Sequence, residues 1–179
     1  PDSRSAAFEL FTNPPGASGQ FGNKPIIFNT DHVMPSAATV DWVWKSISRG
    51  LHPLSYETRN LKKAGVEPHT AGLFLNGKRG NENVHAAIKS TRYFASKMRL
   101  QTMVPLPSLS STEYALADSG EEYLIYQPNS GSFTVHGLLV KNTYKLEWFN
   151  VGSNRTVASS TIPATDASMR FTPPFSDGP

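Results

Sequence analysis

The chain has 179 residues, 38% of them hydrophobic and 11% aromatic, enough for a real core in one domain or two small ones. Lys and Arg outnumber Asp and Glu by 17 to 14, a formal charge of +3, and the basic residues are scattered instead of forming a stripe, which argues against nucleic acid as a partner. Cysteine is absent, which excludes disulfides, thiolate metal sites and thiol nucleophiles, and no apolar run approaches the ~20 residues of a membrane span.

Residues 1–23 carry Asn13-Pro14-Pro15-Gly16, Gly19 and Gly22 beside a short apolar cluster, Phe8, Leu10 and Phe11, a pattern that predicts a long loop. Pro1 to Ala7 lack the charged and then apolar layout of a signal peptide, so the chain reads either as cytosolic or as lacking its true beginning. Ile26, Ile27 and Phe28 follow Pro25 as a short apolar run, predicting a strand buried on both faces. The polar residues Asn29, Thr30, Asp31 and His32 come next. Ligands of α/β sheets lie beyond the carboxyl ends of the parallel strands, which makes Asp31 and His32 candidates for catalysis or sugar binding. An Asp in this place also serves as a turn former or as the N-cap of the next helix.

The segment from Val40 to Gly50 places Val40, Val43, Trp44 and Ile47 at helical spacing and ends on a glycine suited to the C-cap. Leu51 to Tyr56 is a short apolar segment interrupted by Pro53, and Glu57 follows it. The order is therefore strand, helix, strand, with a carboxylate past each strand. Residues 58–80, with Gly65, Gly72, Gly77 and Gly80, form too long a loop for a simple connector and suit a lid or rim. From Asn83 to about Thr102, Val84, Ala87, Ile88, Thr91, Phe94, Ala95 and Met98 make one apolar stripe at the helical period. Lys89, Arg92, Lys97 and Arg99 read as the solvated face of that helix.

At Val104-Pro105-Leu106-Pro107 the pattern changes from helices to short alternating runs, giving two domains, 1–107 and 108–179. Glu122–Tyr126, Ser132–Val135, Tyr144–Phe149, Thr156–Ile162 and Met169–Phe171 have strand length and are separated by turn residues. Their spacing predicts a small antiparallel β-sandwich that leans on the helix before it.

Several words of this sequence resemble one family. Lys24-Pro25-Ile26-Ile27, Thr30-Asp31-His32, Trp42-Val43-Trp44-Lys45-Ser46 and Arg49-Gly50 are similar to the end of the catalytic barrel of secreted, apiosidase-like glycoside hydrolases. Glu121-Glu122-Tyr123-Leu124, Gly131-Ser132-Phe133, Glu147-Trp148-Phe149-Asn150 and Phe171-Thr172-Pro173-Pro174-Phe175 are similar to the C-terminal module of those proteins, which carries a collagen-binding label. Asp31-His32-Val33-Met34 departs from the family's Asp-His-Leu-Trp, His52 stands for a usual Asn, and Glu57 stands near a usual Asp.

The resemblance implies a fold of α/β plus all-β class. Residues 1–107 would hold the last strand-helix units of a (β/α)8 barrel whose N-terminal portion is missing, and residues 108–179 a β-sandwich lacking its last strand. Because a whole barrel needs about 250 residues, the chain would be a C-terminal fragment, inactive alone. Glycoside hydrolysis uses two carboxyl groups, roughly 5 to 5.5 Å apart in retaining enzymes. Asp31 would be one of them, at the end of the seventh barrel strand, and Glu57 would line the same cleft or cap a loop. His32, Trp42 and Arg49 are the candidates for sugar contact. Trp42 and Trp44 alternatively belong to packed core, and Arg49 alternatively pairs with a carboxylate. The resemblance further implies secretion, a carbohydrate substrate, and extracellular matrix or polysaccharide as partners, with neither cofactor nor metal. The alternative is a non-catalytic carbohydrate- or matrix-binding or structural module.

Overall fold

The computed structural model describes residues 26–29, 39–54 and 82–176. Asp31, His32 and Glu57 lie outside the described residues, as do the predicted loops at 1–23 and 58–80.

Strand β1 (Ile26–Asn29) pairs in parallel with β2 (Leu51–Leu54), Ile26 opposite Leu51 and Asn29 opposite Leu54, and helix α1 (Val40–Ser48) connects them. The local signals for α1 are clear. The Thr39 hydroxyl caps it by accepting from the Trp42 amide at 3.0 Å, Asp41 sits in the first turn, and Gly50 takes φ +77° just past the end. One expectation fails here. Ile27 is 66% exposed, and its register partner His52 on the same side is exposed too, so this pair is not a strand layer buried on both faces.

Helix α2 (Glu82–Lys97) buries Val84, Ala87 and Thr91 and half-buries Ile88 and Phe94, which is the predicted stripe. Lys89, Arg92, Lys97 and Arg99 are exposed, as expected of the opposite face. The chain then turns through residues 98–102 and enters β3 (Val104–Pro105), a short 3-10 turn at Pro107–Leu109, and β4 (Ala115–Asp118). Strands β5 (Glu122–Ile125), β6 (Phe133–His136), β7 (Thr143–Asn150), β8 (Arg155–Pro163) and β9 (Ser168–Phe171) complete the fold.

These strands form three small open antiparallel sheets, ordered β3-β4-β5, β6-β9 and β7-β8. The barrel and the β-sandwich are therefore both corrected. Among the described residues only β1, α1 and β2 make a strand-helix-parallel-strand unit, and α2 leads into a strand that pairs antiparallel with β4. A barrel requires parallel strands joined edge to edge until the sheet closes, and among the described residues every sheet is open.

Two apolar clusters hold the elements together. The first gathers Trp42, Val43, Trp44 and Ile47 of α1, Val84 and Ala87 of α2, and Tyr114 and Tyr126, with Phe94, Leu124 and Phe149 packed against it. The second gathers Phe133, Val135, Leu138 and Ala164, with Tyr123, Ile125, Tyr144, Trp148 and Phe171 against it. Strands β5 and β7 thus carry apolar side chains into both clusters. Leu124 and Phe149 turn toward the helices, and Tyr123, Ile125, Tyr144 and Trp148 toward β6 and β9.

Candidate functional site

The site begins with the relation of β5 to β7. The Tyr144 hydroxyl, at the start of β7, donates to the Gly120 carbonyl just before β5 at 2.7 Å. Phe149, near the end of β7, joins the same cluster as Tyr126, just after β5. The two strands therefore run in the same direction. No ladder joins them, since β5 ends one sheet and β7 belongs to another. Between them lies a trough of about 600 Å³. Its walls are residues 121–127 and 143–151 without a gap, odd and even positions alike. In a strand successive side chains point to opposite faces, so a wall made of consecutive residues is a strand edge.

Aromatic side chains bound the trough on both faces. On the helix side, Trp44, Phe94 and Phe149 meet in tilted and edge-to-face contacts with ring centroids 5.2 to 5.8 Å apart. On the other side, Phe133 packs edge-on to Trp148 at 6.0 Å, and Phe175 approaches Trp148 at 6.4 Å. One end is fixed by two tyrosines. The Tyr123 hydroxyl accepts from the Gly120 amide at 2.6 Å and donates to the Gly137 carbonyl, while the Leu139 amide donates to the Tyr144 hydroxyl at 3.0 Å. Burial pushes the Tyr123 phenol above its ordinary value, so it remains a donor. Gly120 has φ +86°, and a Cβ there would lie 2.9 Å from Leu139 Cγ, so this turn needs glycine.

The carboxylates around the trough are already engaged. Glu147 accepts from Lys97 Nζ and from the Thr156 hydroxyl, both at 2.7 Å. Burial pushes its carboxyl upward, but those hydrogen bonds outweigh burial and hold it below the usual carboxylate range. Lys97 is correspondingly raised, chiefly by the hydrogen bond to Glu147. Glu122 accepts from the Arg99 amide at 2.8 Å, and the Arg99 guanidinium lies 3.6 Å from Glu121. Among the described residues no histidine lines the trough, and no group of three or more His, Cys, Asp or Glu is placed to hold a metal.

The site residues expected from sequence fall apart in two ways. Asp31, His32 and Glu57 are outside the described residues. Trp42 is 0% exposed at the centre of the first cluster, which is the packed-core alternative and not a sugar platform. The Arg49 guanidinium lies over the Tyr114 ring at 4.5 Å. Asp41, which no motif singles out, accepts from the Tyr126 hydroxyl at 2.9 Å and pairs with Lys45 at 2.8 Å. Burial first, and the Asp41 carboxylate second, raise the Tyr126 phenol far above its ordinary value. Tyr123, Leu146 and Trp148 were legible only as sheet residues. The available signal was that β7 carries large apolar side chains in both phases, Tyr144, Leu146 and Trp148 in one and Phe149 in the other.

This geometry corrects the enzymatic reading. The described residues hold no group placed for a metal and no closed barrel, so the terms glycoside hydrolase, TIM barrel and carbohydrate metabolism find no support among them. No helix among the described residues is long and apolar enough to cross a membrane. Comparisons with protein-family models, with curated proteins and with solved structures return no match, so the resemblance to apiosidase-like proteins is not upheld.

Proposed function

We propose that this chain is a non-catalytic binding module whose ligand lies in the trough between β5 and β7. The observation that supports the reading is the trough itself: about 600 Å³, aromatic on two faces, with neighbouring carboxylates occupied by Lys97 and Arg99. Concave, mostly apolar space with a few polar groups at its rim is where small domains take ligands. Ionised groups held in pairs are poor candidates for proton transfer and good ones for shaping a rim. Secretion, and extracellular matrix or polysaccharide as partner classes, remain proposals consistent with this reading; a binding module needs none of the chemistry a hydrolase does.

The test uses the dye 8-anilinonaphthalene-1-sulfonate as a probe of the trough. Leu146 lines it, is half-buried and belongs to neither core cluster, so Leu146→Arg places a charge there with little damage to packing. The expected result is one saturable dye site in the parent protein, weakened about tenfold or more in the variant, with an unchanged melting curve. Equal dye binding by both proteins would remove the trough as the site.

A further inference from the structure

We propose that the occupant of the trough is a single extended, apolar polypeptide strand supplied by a second polypeptide, hydrogen-bonded at once to β5 and to β7. The inference rests on the trough being a binding site and goes further by naming the chemistry of its ligand.

Four observations converge on a strand. Among the described residues the outer edge of β5 and the outer edge of β7 are both unpaired in the sheet order, so each presents a row of amides and carbonyls to the trough. Paired strands lie about 4.8 Å apart, so a strand seated between two others holds them about 9.6 Å apart. The Cα atoms of β5 and β7 are more than 8 Å apart over most of their length, too far for the two to pair directly and consistent with a strand between them. The two strands run in the same direction, so one inserted strand can be antiparallel to both, the stronger pairing. Last, Trp44 is 3% exposed, lines the trough, and its Nε1 has no acceptor among the described residues.

The ligand's side chains follow from the two faces. Alternate residues of an inserted strand would meet Trp44, Phe94 and Phe149 on one side and Phe133, Val135 and Phe171 on the other. Both faces are apolar, so the fitting sequence is a continuous run of Val, Ile, Leu or aromatic residues, as in strands buried on both sides. A sugar chain stacks on aromatic faces but lacks the alternating amides and carbonyls that two strand edges demand. The lining carries Glu121, Glu122 and Glu147 against Lys97 and Lys145. With the Arg99 guanidinium beside Glu121 these charges balance, so the lining gives no attraction to a polyanion.

The probe is a synthetic peptide of about six alternating valine and leucine residues, the common length of a strand, flanked by lysines and blocked at both termini. Two control peptides carry N-methyl groups on alternate amides, one in each phase. An inserted strand sends successive amides to opposite edges, so both controls should bind at least about tenfold more weakly than the parent peptide. Amide exchange should slow in β5 and in β7 together when the parent peptide is bound. Equal binding of all three peptides, with the dye site displaced, would overturn the strand and leave the trough as an apolar binding site. Weakening in one phase only would overturn insertion in favour of pairing with a single edge. Light scattering that showed the protein dimerising through the trough and excluding the peptide would overturn the second polypeptide in favour of a second copy. A maltooligosaccharide that displaced the dye where the peptide did not would overturn a polypeptide ligand altogether.

Discussion

The two apolar clusters on either side of β5 and β7 are closed to different degrees. In the helix-backed cluster only Trp44 and Tyr126 of its eight buried members line the trough. In the strand-backed cluster Phe133, Val135 and Leu138 do, three of four. The first is therefore a sealed core and the second is a wall. The cause is architectural. Helix α1 buries side chains around most of its circumference, Trp42, Val43, Trp44, Ser46, Ile47 and Ser48, and so is packed from several directions at once. The β6-β9 sheet has two strands and covers the other side of β5 and β7 only where their own side chains reach.

The comparison is tested most severely by truncating one large ring in each cluster. Trp42→Ala opens a closed cavity and should cost about 4 kcal/mol, whereas Phe133→Ala enlarges space that already exists and should cost about 2 kcal/mol. Denaturant unfolding of both variants decides it. A loss for Phe133→Ala equal to that for Trp42→Ala would show that the strand-backed side is as tightly closed as the helix-backed one.

A smaller effect sharpens the account of the sealed side. Asp41 joins α1 to the strands by accepting from the Tyr126 hydroxyl and pairing with Lys45. Asp41→Ala leaves a buried phenol without its acceptor and should cost about 2 kcal/mol. Tyr126→Phe leaves Asp41 still paired with Lys45 and should cost about 1 kcal/mol. Thermal melts of the two variants should keep that order.

The smallest effect belongs to the rim of the trough and depends on pH. Glu147 is held below its ordinary value of 4.5, so its stabilisation is present above pH 4.5 and is lost as pH falls through the lowered value. Lys97 is raised above 10.5, so its stabilisation is present below that pH and is lost as pH rises through the raised value. Both groups are partly exposed, which limits the pair to about 0.5–1 kcal/mol. Glu147→Gln should lower stability by that amount at pH 7 and narrow the gap to the parent at pH 3, as read from urea unfolding at the two pH values.

The amino-acid sequence by itself determined the local elements. Thr39, the spacing of Val40, Val43, Trp44 and Ile47, and Gly50 specify α1 because a cap, a stripe and a C-terminal glycine act within a dozen residues. The stripe of α2 and the alternating runs of β5 to β9 were legible for the same reason, with ends within a few residues of those observed. Strand β4 was not. Ala115, Leu116 and Ala117 are all buried in the middle of their sheet, so they neither alternate nor carry the branched side chains that mark a strand. Nor could short words shared with a family show how strands would pair. That β6 joins β9 across more than thirty residues, that β7 joins β8, and that β5 and β7 stand side by side unpaired are outcomes of long-range packing. The trough exists only through that separation. Its residues look like ordinary sheet residues in sequence, because a strand edge is made of backbone, and the backbone is the same in every strand.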